Sequence, residues 1–139
     1  MDVGVVDDYG VAPANSPAFF DTLGALGMRE NRITITWDPA SPTTIDRQQA
    51  LELYLPLAAL RGIRVVFAVV PARANSITSN PAAPGQYAAF LAQLARAYPS
   101  VKDFVVGAAG SQVIVIRFSR MPRAPSVSKN PGEFAGATP

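Results

Sequence analysis

An α/β fold with a parallel sheet is what this sequence predicts, on three observations. Runs rich in β-forming residues begin near residues 3, 32, 63 and 102, a spacing that suits strand–helix units of roughly 30 residues. The stretches between them carry helical periodicity. Residues 63–70 are almost wholly apolar, as befits a strand covered on both faces. About four parallel strands and three helices follow, with an irregular tail after residue 107.

The first strand is expected over residues 3–6, ending in Asp7-Asp8-Tyr9-Gly10. Asn15, Ser16 and Pro17 then signal a helix start: a capping side chain followed by proline in the first turn. Phe19, Leu23 and Leu26 share one face of that helix, and Gly27 is its stop. Residues 32–37, Arg-Ile-Thr-Ile-Thr-Trp, form the second strand, closed by Asp38-Pro39 because proline cannot donate to a ladder.

Thr43 or Thr44 is placed to cap the second helix, on which Leu51, Tyr54, Leu55 and Ala58 share a face. Pro56 falls inside this pattern and is expected to kink or divide the helix, with Gly62 ending it. The third helix has the clearest period: Tyr87, Phe90, Leu91, Leu94 and Tyr98 fall on one side, and Pro99 closes it. Residues 102–106 supply the fourth strand. Strands alternating with helices imply right-handed crossovers, satisfied by a doubly wound sheet or by part of a barrel. Periodicity does not choose between them.

The pattern changes after Gly107. Residues 112–118 make one more β-like run, and residues 121–139, rich in Pro, Ser, Gly and Arg, are expected to be mobile. The chain therefore divides into a domain over residues 1–107 and an atypical segment over 108–139. The two differ in charge: residues 1–107 carry eight Lys/Arg against nine Asp/Glu, whereas 108–139 carry four cations against Glu133. Four dispersed cations read as a solvated segment, and no nucleic-acid partner is expected.

Composition narrows the chemistry. With no Cys and no His, thiolate nucleophiles, Ser-His relays and zinc sites of the usual kind are excluded. Acid–base work falls to Asp, Glu, Tyr or Lys. No metal or cofactor is expected. No apolar run approaches membrane-spanning length, and the acidic Asp2 stands where a signal peptide carries basic residues. The sequence reads as neither membrane-embedded nor secreted, and cytoplasmic by default.

Three segments carry a resemblance: Asn31-Arg32-Ile33-Thr34-Ile35-Thr36-Trp37-Asp38-Pro39, Gly62-Ile63-Arg64-Val65-Val66-Phe67-Ala68-Val69, and Tyr98-Pro99-Ser100-Val101-Lys102-Asp103-Phe104-Val105-Val106-Gly107. Together they resemble a bacterial group of cellulase-like glycoside hydrolases, (β/α)8 TIM barrels with Asn-Glu-Pro after the fourth strand. The resemblance covers residues 3–107 and implies a partial barrel, its N-terminal half. It further implies an acid/base glutamate after the fourth strand, where this chain has Ala108-Ala109-Gly110, so that Ala109 occupies the acid/base position. The nucleophilic glutamate belongs to a seventh strand beyond the resemblance. Retaining hydrolysis needs two carboxyl groups about 5–5.5 Å apart, and an alanine methyl can do neither carboxylate's work. The expectation is a truncated, inactive glycosidase-like fragment.

Asp8, Trp37, Asp38 and Arg73 fall at C-terminal strand ends, the face on which barrels build their sites. They are the candidate substrate-binding residues, for an oligosaccharide or polysaccharide, with Trp37 a possible stacking platform. For the aspartates ordinary turn chemistry is the stronger reading. Asp46 and Glu52 read as solvated residues on a helix exterior. Gly107 and Gly110 frame a GxxG turn, but the strand-forming residues after it do not open the helix a phosphate loop needs. The alternative expectation is a carbohydrate-binding half-barrel that closes by homodimerisation, two sets of four strands restoring eight. Unpaired sheet edges would otherwise lower its solubility.

Overall fold

A computed structural model describes residues 3–107 and 113–117. The elements follow in the order β1 (Gly4–Val6), a single 3-10 turn (Tyr9–Val11), α1 (Ser16–Ala25), β2 (Glu30–Trp37), α2 (Gln48–Leu60), β3 (Arg64–Pro71), α3 (Ala83–Ala97), β4 (Asp103–Gly107) and β5 (Val113–Arg117). The protein is a mixed α/β structure with one five-stranded, mostly parallel sheet in the order β1-β2-β3-β4-β5. β1 to β4 are parallel; β5 pairs antiparallel with β4, Phe104 opposite Ile116. The link over residues 108–112 explains the reversal, because a parallel crossover needs a dozen or more residues.

All three parallel crossovers step in the same direction, and right-handed connections of that kind lay α1, α2 and α3 on one face of the sheet. Burial along β2 alternates accordingly. Asn31, Ile33, Ile35 and Trp37 are buried, and Glu30, Arg32, Thr34 and Thr36 are half-buried. The helices meet this face with Phe20, Leu23, Leu51, Tyr54, Phe90 and Leu94 in one continuous core. Phe67 anchors its centre, edge-on to both Tyr98 and Phe104 at 5.7 and 5.6 Å between ring centroids.

The opposite face is polar at its N-terminal end. Arg64 of β3 pairs with Glu30 of β2 and with Asp103 of β4, the latter at 2.8 Å. Asp103, itself buried, also takes Arg117 of β5 at 2.7 Å, so a chain of ion pairs crosses four strands.

The helix ends refine the sequence reading. Asn15 flanks α1, but its side chain donates to the Tyr9 carbonyl at 3.2 Å and makes no cap. α2 begins at Gln48, after Arg47, and not at Thr43 or Thr44. Pro56 leaves α2 one continuous helix. It removes the bond the Glu52 carbonyl would accept, on a side of the helix where both residues are exposed and water can replace it. Gly27 and Gly62 follow α1 and α2 with φ of 70° and 65°, the left-handed turn that ends a helix cheaply only at glycine. Residues 108–112, Ala109 among them, and the tail over 118–139 lie outside the described residues.

Candidate functional site

The C-terminal ends of β1, β2 and β3 bring Asp8, Asp38 and Arg73 to one end of the sheet. The fourth candidate, Trp37, closes β2 on the helix-covered face. Its side chain is 0% exposed, its Nε1–H donates to the Pro42 carbonyl at 3.2 Å, and its ring lies against Tyr87. It offers no free face for a sugar to stack on. The parity of the strand carried this signal, since Ile33, Ile35 and Trp37 share one side.

Asp8 is held by β2. Its Oδ1 accepts the Thr34 N–H at 2.8 Å and its Oδ2 lies 3.5 Å from Nη2 of Arg47. Asp7 and Asp38 each fold back on their own turn, Asp7 Oδ1 accepting from the Tyr9 N–H at 2.8 Å and Asp38 Oδ1 from the Ala40 N–H at 2.9 Å. Arg73 is exposed, and its backbone N–H donates to Ser76 Oγ at 3.0 Å.

Arg47 organises this end of the sheet, and sequence reasoning overlooked it. It adopts φ 55° and ψ 32°, the left-handed region that costs a residue with a Cβ. In that conformation its guanidinium donates to the Thr34 carbonyl, approaches Asp8, and sets Nε 3.5 Å from Asp46 Oδ2. No motif marks it; only the fold brings residues 8, 34 and 47 together.

Beside this cluster lies a polar hollow of about 330 Å³ lined by Thr36, Asp38, Ser41, Thr44 and Asp46. Asp46 sits in the connection ahead of α2 and not on the helix exterior. Three hydroxyls and two carboxylates can exchange hydrogen bonds with a polyol.

The buried phenols behind the site are held neutral. Desolvation pushes the Tyr54 hydroxyl up to about 12; the Asn31 amide, which donates to it at 2.6 Å, opposes the shift, and Asp8 and Asp7 add to it. Tyr87 is likewise pushed up to about 12 by burial, with its hydroxyl 3.0 Å from the carbonyl oxygens of Val69 and Gly107. Among the described residues, no helix is long and apolar enough to cross a membrane. In comparisons with protein-family models, curated proteins and solved structures, nothing was found that matches this chain.

Proposed function

We propose that the chain is a non-catalytic half-barrel of glycosidase type, with a carbohydrate-contacting rim at the C-terminal strand ends. The observation that carries the reading is the sequential order β1-β2-β3-β4 with three one-way crossovers. A half (β/α) barrel has this order, whereas a doubly wound sheet reverses order at a switch point. Activity is a property of the site and not of the fold. At this site the rim carboxylates are engaged, Asp8 by Thr34 and Arg47 and Asp38 by its turn. Ala109 stands where the resemblance implies the acid/base glutamate.

Sugar contact then falls to the hollow around Asp38, on the same end of the sheet as Asp8 and Arg73, with Trp37 packed against Tyr87 behind β2. A titration with β-glucan oligosaccharides, followed through backbone amide shifts, tests this. Shifts confined to Thr36, Asp38, Ser41, Thr44 and their neighbours at millimolar ligand are expected. Unchanged spectra at that concentration would remove the carbohydrate half of the reading.

A further inference from the structure

The outer edge of β1 combines features that together specify an occupant. β1 ends the sheet, and among the described residues no strand pairs with its far side. Six large apolar side chains are conspicuously exposed among the described residues, and four of them, Val3, Val6, Tyr9 and Leu26, surround this edge at 55–64% exposure. Between β1 and α1 lies an apolar hollow of about 330 Å³, lined by Val5, Tyr9, Leu23, Leu26 and others. An unpaired edge beside an apolar hollow suits an added strand, with main-chain bonds for affinity and the hollow for side chains.

Charge decides which strand. Asp7, exposed, stands just past the C-terminal end of β1. Arg29, also exposed, stands at the opposite end, its N–H donating to the Val3 carbonyl at 2.9 Å. The edge is thus acidic at one end and basic at the other. A two-fold axis through Val5, perpendicular to the sheet, runs β1 antiparallel to its copy. It sets Asp7 of one protomer opposite Val3 of its partner, roughly two strand spacings (about 10 Å) from the other protomer's Arg29 backbone. Residues 3, 5, 7 and 29 share the helix-covered face by strand parity and register, so the two side chains stand on one face of the joined sheet, where Asp7 keeps Oδ2 beyond the Oδ1 that accepts from Tyr9.

We infer that β1 is a homodimer interface: two copies pair edge to edge through antiparallel β1 strands, making a continuous ten-stranded sheet with Asp7–Arg29 ion pairs across the two-fold. The same operation brings the two α1 helices together over the paired strands, covering both apolar hollows and Leu26. It differs from the closure of two four-stranded halves into eight strands, because β5 already occupies the free edge of β4. The inference does not depend on any carbohydrate role.

Sedimentation of the full chain over a concentration series, with charge-reversal variants, tests it. The expected result is a dimer whose dissociation constant rises about tenfold or more in Arg29→Asp and in Asp7→Arg, and returns to within about threefold of the parent in the double reversal. Both residues are exposed, and circular dichroism melts serve to check that the variants fold. Because the chain lacks cysteine, Val5→Cys adds a second reading. Directly opposed positions in an antiparallel pair fall within disulfide range, so mild oxidation should give a covalent dimer, and Ala59→Cys on α2 should not. A monomer at all concentrations overturns the inference. So does a dimer that is indifferent to both reversals and does not cross-link through Val5→Cys.

Discussion

The rings of Trp37 and Tyr87 lie 5.0 Å apart between centroids, where the end of β2 meets α3. The Tyr87 hydroxyl lies within hydrogen-bond distance of the Val69 carbonyl of β3 and the Gly107 carbonyl of β4, so one side chain of α3 ties β2, β3 and β4 together. Trp37→Ala should therefore destabilise the fold by about 3–5 kcal/mol, the usual cost of deleting a large buried aromatic. Urea denaturation measures the loss. In the parent protein, Trp37 emission should be blue and poorly quenched by acrylamide, unlike that of an exposed sugar platform.

Alkaline pH should unfold the protein through the same phenols. Tyr54 and Tyr87 ionise near 10 in the unfolded chain and at about 12 in the folded one. Between those values the folded state binds more protons than the unfolded state, so stability falls as pH rises. The contribution is whole below pH 10 and is lost as pH climbs through 12. Urea midpoints between about pH 9 and about pH 11 should drop in the parent and drop less in Tyr54→Phe.

Gly10 has no room for a side chain. A Cβ there would come within 2.2 Å of Phe19 Cδ1 and 2.6 Å of its Cγ, a ring buried beneath the turn. Gly10→Ala should cost about 1–3 kcal/mol, the range for overpacking a tight site. A thermal melt reads it directly. A Gly24→Ala control should cost nothing, since nothing lies within 4 Å of the added methyl and alanine favours helix.

Arg47 and Asp8 should behave as partners in stability. Removing Asp8 frees the Thr34 N–H and removing Arg47 frees the Thr34 carbonyl, and either change breaks the pair between them. Asp8→Ala and Arg47→Ala should each cost about 1–2 kcal/mol, and the double variant should cost less than their sum. Full additivity in a double-mutant cycle would show that the two act separately.

Much of this fold was legible in the sequence. The apolar run ahead of Pro71 and the period through Tyr87, Phe90 and Leu94 located β3 and α3, because burial on one face or two leaves a repeat in the chain. The antiparallel β5 could have been foreseen from the shortness of residues 108–112. The place of Trp37 at a strand end suggests the rim, whereas its parity with Ile33 and Ile35 places it in the core. Arg47 left no local trace. Its partners are 39 and 13 residues away, and its left-handed backbone is one no propensity favours in arginine. The start of α2 moved for a related reason: the residues around Thr43 and Thr44 are spent on turns and on lining the polar hollow.

The most direct test of a non-catalytic half-barrel is a reducing-end assay on the purified full chain with β-glucan oligosaccharides and polymers, run alongside Asp38→Asn. The account predicts no release above a protein-free blank for either protein. Release of reducing ends by the parent that disappears in Asp38→Asn would contradict it and make the strand-end carboxylate catalytic.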